Sequence, residues 1–378
     1  MSAIRKLPCK LGGLGLTSMV DVAPVAWKAS FLAAHEYIRM NWESMGHLWE
    51  GKVWEQGNSR VLEDHLKLDN FIFGETTFDT TMGMSQKNLL TEVFEKKADE
   101  VEKMLANYSA ALAQFKAQRQ GGYQWLSYQF LGKNMWANVF QCALSARILF
   151  PHFSVCTDTQ NDLCDCRFRR RDGRTNPNRE DVHLCDPKQE LHAISCPNMH
   201  EHTIARHNAL YLTLQRSLQR IFPQLQFERE WSTWNQMLQK RLCVDLRMKC
   251  ANEDNWYYID FSFVNIASAS SVKKSSDSVV RQREAMKLDK YKEFFSTEQM
   301  KYVVPFVMDS AGNVGQLASN FLDKLSKDCV SQFEVSVKNE VLAALQTCYW
   351  KYFYQIKEVF HQSFHNPSVR QRNSHDSR

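Results

Sequence analysis

His192-Ala-Ile-Ser-Cys196 places an imidazole and a thiol four residues apart, a spacing at which one short turn directs both toward a single point. Soft nitrogen and sulfur donors of this kind suit Zn²⁺, which takes four of them in a tetrahedral structural site. Cys164 and Cys166 are the cysteines that would complete a CCHC set with His192 and Cys196. Cys185, His183, His200 and His202 are alternative ligands in the same region. Twenty-five residues separate Cys166 from His192, so the two ligand pairs would close a long inserted loop. That loop carries Arg167, Arg169, Arg170, Arg171, Arg174 and Arg179 among Gly, Pro and Asn. Guanidinium groups on such a loop can follow a phosphate backbone but offer no fixed frame for reading bases. A solvated basic loop is the plain alternative.

A second constellation is acidic. Asp245 interrupts Val244-Asp-Leu246, and Asp260 interrupts Tyr257-Tyr-Ile-Asp-Phe-Ser-Phe263; both runs are otherwise apolar. A carboxylate inside an apolar strand is costly unless it is paired or holds a cation. Two on neighbouring strands offer hard oxygen donors for Mg²⁺, which can activate water for phosphodiester cleavage. The alternative is that each acid sits at a strand end in solvent.

The elements that must position these groups follow from periodicity. Residues 151–204 lack the apolar residues for a core of their own, and bound metal would supply the missing folding energy. Arg206-His207-Asn208 opens a helix whose Leu210, Leu214, Leu218 and Ile221 recur at helical spacing. Strands are predicted over Lys240–Met248 and Trp256–Ile266, joined by the turn 250–255. A charged helix follows over Ser278–Phe295, then a buried strand over Tyr302–Met308, where Pro305 implies an edge or a bulge. Helices are expected over 313–326 and 331–360, with a disordered tail from about 361.

Upstream, residues 87–118 read as one amphipathic helix with Leu90, Phe94, Val101, Leu105, Ala111 or Leu112, and Phe115 as its stripe. Glu92–Lys96 and Asp99–Lys103 add favourable i,i+4 pairs, and Gly121-Gly122 stop it. A second helix, 134–149, carries Trp136, Phe140, Leu144 and Ile148, read as core. Glycines 12, 13 and 15 do not fit GxGxxG, and a close-packed turn is the better reading.

With 378 residues, 44% hydrophobic and 24% charged, the chain has room for two or three domains. The net charge of +5 permits a nucleic-acid partner without demanding one. Eleven cysteines with no signal peptide before them suit a reducing compartment, hence an intracellular protein, nuclear or cytoplasmic. No apolar run approaches the ~20 residues of a membrane span.

The order Leu11-Gly-Gly-Leu-Gly-Leu16, then a Cys/His cluster ending at Cys196, then Arg206-His207-Asn208-Ala-Leu210, then the Asp245 and Asp260 strands, then Val304-Pro-Phe-Val-Met-Asp309 resembles one family. It is the C-terminal part of non-LTR retrotransposon reverse-transcriptase polyproteins that carry a zinc knuckle and a restriction-endonuclease-like domain. The likeness extends loosely over residues 7–325, and the order of motifs is more specific than any one of them. It implies that His192 and Cys196 end the knuckle and that Arg206 and His207 position the nucleic-acid backbone. It further implies that Glu230, Asp245 and Asp260 hold Mg²⁺ for nicking DNA. Val244 stands where proline is usual, and Ser262 where many of the wider nuclease superfamily carry lysine. Lys287 or Lys290, in the basic helix, would take the lysine's part. No Tyr-x-Asp-Asp segment occurs, so polymerase activity is not expected.

The expected chain is thus α+β: a helical region 1–150, a zinc-binding connector 151–204, an α/β nuclease-like domain 205–328, and a C-terminal helix and tail 329–378. Metal-dependent DNA nicking, or a degraded remnant of it, leads. DNA, and RNA as a further candidate, is the expected partner, with structural Zn and catalytic Mg as cofactors. A zinc-containing nucleic-acid-binding protein without catalysis is one rival. A scaffold working through helices 87–118 and 331–360 is the other.

Overall fold

The computed structural model describes residues 2–14, 85–126, 135–147, 193–196, 199–250, 255–268, 273–328 and 337–365, with a few single positions besides. The chain is of mixed helix and strand and divides into two compact units, Met1–Asn107 and Tyr108–Arg378.

In the first unit, α1 (Ser2–Lys6) and a 3₁₀ turn (Cys9–Leu11) both touch α2 (Gln86–Met104). The glycine-rich turn brings backbone against backbone: a Cβ on Gly13 would lie 2.0 Å from the Leu7 carbonyl oxygen. Ser85 caps α2 by accepting the Asn88 N–H at 3.3 Å. The single helix expected over 87–118 is in fact two, because α2 ends at Met104 and α3 runs Ser109–Gln120. The apolar stripe loses its phase at Asn107-Tyr108, and Asn competes poorly for helix interiors because its amide bonds nearby backbone.

The second unit carries α3, a 3₁₀ turn at Gln124–Leu126, and α4 (Ala137–Arg147). The short turn Ala193–Ser195 precedes α5 (His200–Ile221). A four-stranded sheet follows, made of β1 (Gln226–Asn235), β2 (Lys240–Lys249), β3 (Trp256–Val264) and β4 (Val303–Asp309). α6 (Ser276–Lys292) and α7 (Thr297–Met300) lie between β3 and β4, and α8 (Gln316–Asp328) and α9 (Val337–His365) close the unit. Gly122 ends the α3 region with φ 71°, where a Cβ would lie 2.3 Å from the Ala311 carbonyl oxygen. On α4 the buried stripe is Val139, Cys142, Ala143 and Ala146, not the aromatics. Trp136 is 66% exposed, with Lys351 Nζ over its ring. Phe140 and Leu144 are partly buried against the core, and Phe140 meets the Trp125 ring edge-on.

The sheet order is β1-β2-β3-β4, antiparallel except for the β3–β4 pair. That parallel pair requires a crossover, and α6 supplies it. Pro305 lies on edge strand β4, opposite Asp260, so its missing N–H costs no ladder bond on the outer side. Alternation sorts the two faces. Ile259, Phe261, Val304 and Phe306 pack with α5, α8 and α9, whereas Tyr258 and Val303 pack with Tyr291 and Phe295 on the α6 side. α5 enters through Leu210, Leu214 and Leu218, one residue per turn, each worth about 1.5–3 kcal/mol of burial.

β1 is not among the expected strands. Its pattern is largely exposed, and Glu228, Arg229 and Glu230 mask the alternation of Phe227, Trp231 and Thr233. The β1–β2 ribbon turns on itself midway: Leu242 and Val244 join the α6-side cluster, while Leu246 and Met248, of the same parity, join the opposite one. The change falls at Asp245 and at Glu230, whose φ of 49° is left-handed. α5 begins at His200, so Arg206 and His207 sit in its second turn rather than at its start. α9 extends to His365, past the expected end at 360.

Candidate active site

The strand register sets the two acids at facing positions of β2 and β3. β2 pairs with β3 through Leu246↔Ile259, and the next step in that register is Asp245 opposite Asp260. There the ladder stops. The Phe261 N–H is taken instead by Asp245 Oδ2 at 2.6 Å, so the two strands part around the carboxylates. On the other side of β2, Glu230 and Asp245 fall between the partners Arg229↔Leu246 and Trp231↔Val244. Glu230 is exposed, and its Oε1 accepts from Tyr211 Oη at 3.5 Å.

Asp260 is buried at 3% exposure on the α6 face of β3. Lys287 Nζ donates to its Oδ1 at 2.8 Å, Tyr291 Oη donates to Oδ2 at 2.5 Å, and Lys290 Nζ stands 3.7 Å from Oδ2. Burial pushes this carboxyl up, but the charge of Lys287, its hydrogen bond, Tyr291 and Lys290 together pull it below the ordinary range. Burial and the adjacent Asp260 charge raise Tyr291 far above a free phenol, so it stays a hydrogen-bond donor.

His207 joins the two strand groups. Its Nε2 lies 3.3 Å from Asp245 Oδ2 and 3.2 Å from the Phe261 carbonyl oxygen. The hydrogen bond to Asp245 raises its pKa against the opposing effect of burial. Its ring meets Phe261 and Tyr211 edge-on.

Arg206, expected to meet phosphate, faces the core instead. It is 4% exposed, its guanidinium lies 3.9 Å from the Phe263 ring centroid, and Nη1 donates to the Ile194 carbonyl at 3.3 Å. Burial lowers its pKa to about 10. The helix turn that aims His207 at the strands points its neighbour Arg206 inward, where it pins the turn preceding α5.

Cys196 follows that turn and is buried at 1% exposure. Ser195 Oγ accepts from Asn265 Nδ2 at 3.0 Å, which ties the turn to the end of β3. His200 and His202 lie in the first turn of α5. Cys164, Cys166, His192, His183, Cys185 and the arginines 167, 169, 170, 171, 174 and 179 lie outside the described residues. Among the described residues, no group of three or more His, Cys, Asp or Glu side chains is gathered as a metal cage.

Two contributors were not foreseen from sequence. Tyr291 is four residues after Lys287, on the same helix face, a spacing that could have flagged it. Arg283 is four residues before Lys287; its Nε donates to Ser262 Oγ at 2.7 Å. Ser262 is therefore answered by a cation from α6.

Comparison with protein-family models and with curated proteins returns no match. Among the described residues, no helix is long and apolar enough to cross a membrane.

Proposed function

We propose that the second unit contains, over residues 205–328, a restriction-endonuclease-like domain of retroelement origin that nicks DNA with a divalent metal. The observation that carries this reading is that Asp245 and Asp260 occupy facing register positions where β2 and β3 part, with Lys287 Nζ 2.8 Å from Asp260. Carboxylate oxygens are the donors Mg²⁺ prefers; Asp245, Asp260 and Glu230 are not gathered as a cage in this structure and would hold the ion only once drawn together. A bound Mg²⁺ would neutralise phosphate charge and lower the pKa of a water molecule. The chain's own groups prepare the rest. The Phe261 N–H and His207 fix the Asp245 carboxylate in one orientation. Lys287 keeps Asp260 ionised and, with Lys290, sets positive charge where a phosphodiester would approach. The arginines of 167–179 would hold flanking phosphates irrespective of sequence.

The test is relaxation of supercoiled plasmid in Mg²⁺. The wild-type chain is expected to yield open circles, and Asp245→Asn is expected to abolish them while the fold persists, since Asp245 is partly exposed. Wild-type protein that leaves the plasmid supercoiled overturns the reading.

One observation favours the binding-only alternative. Both oxygens of Asp260 are engaged by Lys287 and Tyr291, an arrangement that satisfies the acid without a metal. In that case the unit holds nucleic acid through its cations and cuts nothing; a Mg²⁺-independent DNA shift without nicking would identify it.

A further inference from the structure

Three cations of α6 face β3 at Asp260 and Ser262, and they are not used alike. Lys287 and Lys290 both lie on Asp260. Arg283 is different. Its Nε donates to Ser262 Oγ at 2.7 Å, and Ser262 is a neutral hydroxyl, 3% exposed. Its terminal nitrogens have no hydrogen bond or ion pair among the described residues. Glu284, next in sequence, is turned away: its Oε1 accepts the Leu317 N–H. Asp277, six residues before Arg283, is paired with Arg281.

The placement follows from how helix and strand run. Asp260 and Ser262 are two residues apart on one face of β3, and Lys287 and Arg283 are one turn apart on α6. Asp260 meets Lys287 and Ser262 meets Arg283, so α6 runs antiparallel to β3 and the two pairs stack as neighbouring rungs. One rung is an ion pair, with its charge already answered. The other is a guanidinium held by a hydroxyl, which fixes its orientation and leaves its full positive charge. A guanidinium carries five N–H donors in a planar fork matched to two oxygens of a phosphate. Nε is spent on Ser262; the terminal nitrogens are the part of the fork left over.

We propose that Arg283 is a phosphate-binding residue that grips the DNA backbone beside the acid pair, with Ser262 as the positioning residue that aims it. This rests on the reading of the site as a DNA-cutting one, and it names the contact that would hold the phosphodiester there.

The experiment reads binding rather than cleavage. A short fluorescent duplex is titrated with the full chain in EDTA over a range of salt. Arg283→Gln is expected to weaken binding roughly tenfold or more, as loss of one charge-assisted contact should, and to reduce the slope of log affinity against log salt by about 0.9. Ser262→Ala should weaken binding while leaving that slope at the wild-type value, because the charge remains and only its aim is lost. Arg283→Lys should restore the slope without restoring full affinity. Lys301→Gln, just after α7 and paired with Glu298, is the charge control and should match wild type. Thermal melting checks that each variant folds. A folded Arg283→Gln with unchanged slope overturns the proposal, as does a wild-type chain that binds no duplex. An Arg283-dependent slope in a chain that never nicks keeps this proposal and removes the nuclease. A chain that nicks without an Arg283-dependent slope does the reverse.

Discussion

Tyr291 donates its phenolic hydrogen to Asp260 at 2.5 Å, on the oxygen opposite the one that Lys287 occupies. The carboxylate is thus held on both sides by one helix. Removing its charge should strand the Lys287 ammonium, whose side chain is only 17% exposed. Breaking one partner of a buried pair costs about 3 kcal/mol or more. Asp260→Asn is expected to lose about that much in urea unfolding, and Tyr291→Phe less, near 1 kcal/mol, since it removes one hydrogen bond. Equal stability of Asp260→Asn and wild type would show that the pair contributes nothing.

Glu284 sets a pH dependence of the opposite kind from a salt-bridged acid. Burial raises its pKa above the ordinary 4.5, against the Leu317 N–H bond that lowers it. A carboxyl raised in the fold binds its proton more tightly there than in the unfolded chain. Its contribution is therefore present below about 4.5 and is lost as pH rises through the raised value. Glu284→Gln keeps an acceptor for Leu317 and carries no charge. It should melt higher than wild type at pH 7, with the advantage shrinking through the raised value and gone in acid. Parallel melting curves across pH would contradict this.

The zinc proposal is tested through its described member. Cys196 is buried beside the start of α5. Wild-type protein is expected to contain roughly one zinc per chain by elemental analysis. Cys196→Ser should lose the metal and lower the melting temperature, since a zinc bound there would contribute folding energy. Fully folded wild-type protein without zinc would end the proposal.

Gly122 is the fourth test. At φ 71°, with the Ala311 carbonyl where a Cβ would go, Gly122→Ala meets both backbone strain and a clash. A non-glycine residue in such a conformation costs about 1–3 kcal/mol before any clash is counted. Gly122→Ala should therefore unfold at distinctly lower urea, whereas Ala311→Gly on the opposite side should change little beyond its own propensity.

Much of this was legible in the sequence, and the reasons are local. β2, β3 and β4 are apolar runs bounded by turn residues; α6, expected over 278–295, runs Ser276–Lys292, because Ser275, left out of that expectation, is its N-cap. Asp245 and Asp260 stood out because each breaks an apolar strand. What the sequence concealed depends on three dimensions. β1 lies at an edge with much of its surface in solvent, so its charged residues hid the alternation. Arg206 and His207 are adjacent letters of one basic motif, yet a helix turns them about 100° apart, one to the core and one to the strands. Arg283 and Tyr291 flank Lys287 at helical spacing, but only the packing of α6 on β3 gives that face a purpose.

The turn after β4 is tied from a distance. Ser310 offers its carbonyl to Tyr349 and Gln114, and Gln346 bonds Gly312 and the Trp125 backbone. All the strands and both acids have left the ribosome well before α9 does. The Ser310 carbonyl already has Gln114 as a donor from upstream, but its bond to Tyr349 and the Gly312 carbonyl's bond to Gln346 wait for α9. In vectorial synthesis the described strands therefore precede the helix that ties down the turn after β4, and those bonds are the last of this set to become available.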